Sequence, residues 1–254
     1  MHTEMGYQLS SIAPYLQTET DLRRSMKKIA HLGYRYVQLQ SVSMDISDAV
    51  IAEALQENGL QCVAVQEDYI LGFGDDPDRR IARALACGAA YLVFALIPWD
   101  IDTPEKLADF AEQVHVVRKK VQDAGLVFAF HPIGPDYRQI DGVPVYERLM
   151  ELLGPTVQLT FCVSACFNSA VTWEDVFEKY AGRMDLVHFK DYRTLPDGAK
   201  SLMPLGAGEH DWVPILAAAK QAGVRYIFAE QEKWEKDAFD CAAESYVYLK
   251  NLGL

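Results

Sequence analysis

One rhythm constrains this chain more than any other feature: eight times over, a short β-rich run is followed by a helical pattern that stops at a glycine. The runs fall at 7–12, 36–39, 60–65, 90–96, 126–131, 157–162, 184–190 and 226–230. The helical patterns fall at 21–32, 48–58, 77–87, 104–124, 145–153, 173–180, 212–222 and 239–251. They close at Gly33, Gly59, Gly88, Gly125, Gly154, Gly182, Gly223 and Gly253. Glycine supplies the left-handed residue that ends a helix, so each new strand can begin within a few positions. Strict alternation implies a parallel sheet with right-handed crossovers. Eight units in 254 residues match a closed (β/α)8 barrel, a single domain over 1–254 that no composition shift or linker divides. A doubly wound open sheet is the competing architecture. Its pyrophosphate loop is missing: the Gly-x-Gly pairs, Gly72–Gly74 and Gly206–Gly208, fall in later loops rather than the first strand-to-helix turn.

The charge balance narrows the partners. A formal net charge of -12 would repel a nucleic-acid backbone or an anionic membrane surface. Neutral or cation-assisted small molecules suit it better. Five cysteines without paired short spacing (Cys62, Cys87, Cys162, Cys166, Cys241) predict reduced thiols rather than a disulfide frame. The opening Met-His-Thr-Glu-Met-Gly has neither a basic nor an apolar leader region, and the longest apolar run, 89–99, is too short to span a bilayer. The expected location is the cytoplasm.

In a barrel the chemistry sits at the C-terminal ends of the strands. Those ends carry Gln38 and Gln40, Gln66 and Glu67, Trp99, His131, Cys162, His188 and Lys190, and Glu230 and Glu232. In the run 184–191, Met-Asp-Leu-Val-His-Phe-Lys-Asp, period-two alternation places Leu186, His188 and Lys190 on one face, running from apolar core to polar mouth. Glu230 follows the buried-looking Tyr-Ile-Phe-Ala, where a carboxylate is costly unless paired or coordinated. His188 and Glu230 on adjacent strands would serve equally as half of a divalent-metal site or as a simple hydrogen bond closing the barrel mouth. Cys162 and Cys166 read more readily as small buried hydrophobes than as ligands, and His2, His31 and His115 as structural or solvated.

Five motifs stand together: Tyr-Val-Gln-Leu in strand two, the strand-five His131 with Asp136-Tyr137, Val-His-Phe-Lys-Asp at 187–191, Gly-Ala-Gly-Glu-His-Asp-Trp at 206–212, and Ala-Glu-Gln-Glu at 229–232. Together they resemble the xylose-isomerase-like sugar phosphate isomerase/epimerase family of TIM barrels. The likeness runs over almost the whole chain in order. It implies a site in which two carboxylates, an aspartate and a histidine hold a divalent metal and sugar-like polyols are isomerised, epimerised or dehydrated. Carried over by position, His188, Glu230, Asp136 and Cys162 are the metal candidates, for Mn, Zn, Co or Fe. Two depart from the pattern. The strand-five glutamate is shortened to Asp136, and the strand-six aspartate falls on Cys162, a poor donor for hard ions.

The expected reaction is metal-assisted proton abstraction next to a carbonyl of a keto-sugar or polyol, the metal polarising the substrate carbonyl or hydroxyl. Glu230 or Glu67 moves the proton, Lys190 steadies the enolate oxygen, and His131, Gln38, Trp99 and Trp212 bind the substrate. Dehydration of a keto-polyol shares the first step. The departures at strands five and six leave a second reading open: a barrel without the metal, working as a metal-free enzyme or as a sugar-binding or partner subunit. An apurinic endonuclease of the same superfamily would need a basic groove that net -12 does not supply. Apolar loop aromatics permit a homo-oligomeric interface.

Overall fold

The computed structural model describes residues 2–167 and 169–254. Its eight parallel strands are β1 (Glu4–Gln8), β2 (Tyr36–Leu39), β3 (Gln61–Asp68), β4 (Tyr91–Ala95), β5 (Val127–Phe130), β6 (Gln158–Cys162), β7 (Leu186–Phe189) and β8 (Tyr226–Ala229). They close in sequence order, with β1 pairing to β8 on one side and to β2 on the other. The longer helices that follow the strands are α1 (Glu19–Leu32), α2 (Asp48–Glu57), α3 (Pro77–Ala86), α4 (Pro104–Asp123), α5 (Val145–Leu153), α6 (Trp173–Lys179), α7 (Trp212–Gln221) and α8 (Ala238–Asn251), with a single helical turn, Val163–Cys166, between β6 and α6. The (β/α)8 reading of the sequence is thereby met.

The helix starts follow local chemistry. The Thr18, Ser47, Asp76, Thr103 and Thr172 side chains each accept the backbone N–H three residues on, satisfying a donor that the first turn leaves free. Helix α1 therefore starts at Glu19 under Thr18, two residues ahead of the sequence expectation.

Two layers of apolar side chains make the core. One lies between the sheet and the helices. The other fills the barrel interior and includes Ala64, Tyr91, Val93, Ala129, Leu186 and Phe228. Gly6 shows why the seam between β1 and β8 closes: a Cβ at this position would lie 2.6 Å from the Phe228 ring and 2.9 Å from the Tyr36 carbonyl oxygen. Only glycine lets Phe228 fill the interior there.

Two expectations are corrected. The first strand is 4–8, not 7–12, because Leu9–Tyr15 winds into 3-10 turns that end near Pro14. The seventh ends at Phe189, and Asp191–Thr194 turns away to pair antiparallel with Lys200–Met203 as a ribbon over the mouth. A shorter ribbon joins Gln139–Ile140 to Val143–Pro144.

Candidate active site at the barrel mouth

Registration across the strands gathers the polar groups. His188 on β7 lies level with Cys162 on β6 and with Phe228 on β8, while Gln8 on β1 lies level with Gln38 on β2. Inward-pointing residues recur every second position, so the layer above Leu186 and Phe228 is built from Gln8, Gln38, Gln66, His131, Cys162, His188, Glu230 and Lys190. Most of this layer is sealed from water: His188 and Gln38 are fully buried, Glu230 and His131 are 5% exposed, and the Lys190 side chain is 17% exposed.

Glu230 is the electrostatic centre. Its Oε2 is 3.1 Å from the Lys190 Nζ, 3.5 Å from the His188 Nδ1 and 3.8 Å from the Cys162 Sγ. Burial alone would push this carboxyl up, but the Lys190 ammonium outweighs it and holds Glu230 well below the usual carboxylate range. Lys190 also donates to the Glu232 Oε1 at 2.7 Å. Burial works against the ammonium, yet Glu230, Cys162 and Glu232 raise it overall, so the cation is fixed. Burial drives His131 well below its ordinary value, leaving that ring neutral. Burial pushes the Cys162 thiol up to about 12.

A chain of hydrogen bonds runs around the other half of the layer. The His188 Nε2 is 2.8 Å from the Gln38 Oε1, the Gln38 Nε2 donates to the Gln66 Oε1 at 2.7 Å, and the Gln66 Nε2 is 3.5 Å from the His131 Nδ1. The two imidazoles face each other with ring centroids 4.7 Å apart. The His188 Nδ1 and His131 Nε2 are buried without a hydrogen-bond partner.

Not every sequence candidate reaches this layer. Glu67 follows Gln66 by one residue, so its side chain leaves on the other face of β3 and pairs with the Arg80 Nε at 3.2 Å. Burial raises its carboxyl despite Arg80. Trp212 is fully buried: it stacks on Phe189 at 4.5 Å and donates from Nε1 to the Asp191 Oδ2 at 2.9 Å, so it packs the loop after β7. Asp136 accepts the Ile133 N–H at 2.9 Å and faces Arg138 at 3.6 Å, which turns it into its own loop. Trp99 stands 56% exposed on the loop after β4. Gln8 and Gln66 were not singled out as substrate groups by the sequence, although the period-two pattern that exposed His188 places them in the same layer.

His131, Cys162 and His188 offer ligand atoms within 4.8 Å of one another, close enough to surround one ion. The oxygen-rich family arrangement does not fit. Asp136 is engaged elsewhere, Cys162 replaces an oxygen donor, and Lys190 already places a positive charge on the Glu230 oxygen that would face the cation.

The family model for the xylose isomerase-like TIM barrel matches residues 26–248. Among solved structures, a sugar phosphate isomerase/epimerase from Parabacteroides distasonis ATCC 8503 aligns with a TM-score of 0.82 at 16% identity, covering 98% of this chain and 94% of that one. An L-ribulose 3-epimerase aligns at 0.79 and 12% identity, covering 99% and 94%. A xylose isomerase-like TIM barrel protein from Mycobacterium smegmatis, solved in complex with magnesium, aligns at 0.75 and 15% identity, covering 99% and 98%. At these identities the likeness is one of fold. No curated protein matches the sequence.

Proposed function

The chain belongs to the xylose isomerase-like TIM barrel family, and from that premise we propose that it is a sugar isomerase or epimerase that moves a proton next to a carbonyl with its own side chains. The observation that carries this reading is the ionised, desolvated Glu230, set between the Lys190 ammonium and the unpartnered His188 Nδ1. Glu230 is held ionised, as an acceptor for a proton must be, and the fixed Lys190 cation beside it stabilises the oxyanion that forms. Glu230 takes the proton from the carbon next to the carbonyl, and Lys190 faces the enolate oxygen. The buried His131 ring stands across the layer, where it can hold or supply a proton at that oxygen. The substrate class is a small keto-sugar or polyol, for which Gln8, Gln38 and Gln66 offer neutral amide groups. A cleft of about 190 Å3 is lined by Leu39, Gln40, Gln66 and Glu67 and so shares Gln66 with this layer.

Deuterium exchange tests this. Purified protein is incubated in heavy water with a panel of ketohexoses, ketopentoses and keto-polyols, with and without a chelator. The expected result is deuterium at the carbon next to the carbonyl of at least one substrate, retained with chelator and lost in Glu230→Gln. Exchange that needs added metal, or that survives Glu230→Gln, overturns the reading. Sugar binding without any exchange would instead make the barrel a binding subunit.

A further inference from the structure

We infer that the Gln38–Gln66 bridge holds His131 and His188 in opposite proton states toward the site, so that one shows it an N–H and the other a bare nitrogen. The inference goes beyond the proposed reaction and does not depend on the substrate.

A primary amide has one accepting end, its oxygen, and one donating end, its nitrogen. Two amides in series must meet oxygen to nitrogen, as Gln38 and Gln66 do at 2.7 Å. The outer ends of the pair are therefore one oxygen and one nitrogen, whichever way the amides are turned. If both turn over together, the ends exchange; if only one turns, like ends collide. The oxygen end requires an N–H from its histidine, and the nitrogen end requires a lone pair. An uncharged imidazole carries a single N–H. The ring that donates into the bridge thus presents a bare nitrogen to the site, and the ring that accepts presents an N–H.

As arranged, the His188 Nε2–H donates to the Gln38 Oε1, which leaves the His188 Nδ1 bare at 3.5 Å from Glu230. His131 accepts at Nδ1, so its Nε2 carries the hydrogen. Both site-facing nitrogens are buried and unpartnered, as groups reserved for a ligand would be. A substrate entering here meets one acid and one base. A cation meets only one imidazole lone pair, although His131, Cys162 and His188 are close enough to chelate a soft ion such as zinc. The bridge acts as a positioning element for the proton and withholds the second imidazole from a metal.

A carboxylate in the bridge changes the count. In Gln66→Glu both oxygens accept, one from Gln38 and one from the His131 Nδ1–H, while Gln38 still accepts from His188. Both rings then turn bare nitrogens toward Cys162, and His131 gains the carboxylate partner typical of a zinc-bound histidine. The test needs no turnover. Long-range proton–nitrogen correlation spectra of 15N-histidine protein, assigned with His131→Phe and His188→Phe, report which nitrogen carries each hydrogen. In the wild type His131 and His188 should be protonated on the same-named nitrogen, both Nε2 or both Nδ1. In Gln66→Glu they should differ, and zinc affinity should rise by about 10- to 100-fold. Gln66→Met, which severs the bridge, should free the His131 hydrogen from its dependence on His188; this variant carries the test if Gln66→Glu does not fold. Differently named tautomers in the wild type, a charged ring at either position, or wild-type zinc binding as tight as that of Gln66→Glu would overturn the inference. Failure of every sugar to exchange deuterium would count against the proposed reaction and leave these spectra unaffected.

Discussion

Two acids sit side by side at the end of β7 and β8, equally withdrawn from water and built to opposite ends. Asp191 is fully buried and accepts five donors: the backbone N–H groups of Tyr192, Gly206, Gly208 and His210, and the Trp212 indole. Four of the five are amides of a single loop, so the carboxylate works as a clasp that folds residues 191–212 onto the barrel. Gly208 is part of the same device, because a Cβ there would lie 2.0 Å from the Asp191 Oδ1. Glu230, one strand away, is surrounded by side chains that can themselves gain or lose protons, and it leaves two neighbouring nitrogens without partners. The clasp commits its acceptor oxygens to the donors of one loop and gains rigidity. The mouth layer leaves its hydrogen-bonding capacity open and gains reactivity.

This contrast is open to direct attack. The largest effect belongs to Glu230→Gln, which should lower deuterium exchange by about 10²- to 10⁴-fold while the protein stays folded, since Lys190 keeps Glu232 as a partner. A collapse of stability instead of activity would erase the distinction between the two acids. Next comes Asp191→Ala, which strands several buried donors and should cost at least about 3 kcal/mol in denaturant unfolding. A loss under 1 kcal/mol would mean the clasp does not hold the loop (roughly the worth of one ordinary hydrogen bond).

Asp136 supplies the intermediate case, with one backbone donor and a distant Arg138. Burial pushes its carboxyl up to about 6, against which the Ile133 N–H and Arg138 act only partly. The folded state therefore binds this proton more tightly than the unfolded chain does. Stability should fall as pH rises from about 4 to about 6, by up to about 3 kcal/mol, and Asp136→Asn should remove that fall. Thermal unfolding across this range in both proteins checks the sign; an unchanged slope in the variant would show that Asp136 is not its source. The smallest effect is expected at Trp99, on the exposed rim, where alanine should change stability by no more than about 0.5 kcal/mol.

Most of the architecture was legible because the glycine stops and the period-two runs are local signals. All eight glycines that mark the helix ends take positive φ, from 64° to 109°. The start was misread because the apolar residues of Leu9–Tyr15 look like strand, while the true β1 opens on the partly polar Glu4-Met-Gly. At the site, alternation along β7 and β8 found His188 and Glu230 for the same reason that it should have excluded Glu67, which is out of phase with Gln66. Trp212 looked like a pocket aromatic because it ends a polar glycine-bearing motif. That motif, 206–212, is the loop that Asp191 gathers, and a long-range acceptor of this kind leaves no periodic trace. The amide bridge was equally hidden. Gln38 and Gln66 are 28 residues apart, and their meeting depends on the shifted register between β2 and β3 at Val37/Gln38.

The bridge also has a genetic reading. Glutamine and glutamate codons differ by one base at the first position, whereas restoring aspartate at Cys162 takes two changes. On the bridge inference, a single transversion at codon 66 turns proton-sharing histidines into a cation-binding pair.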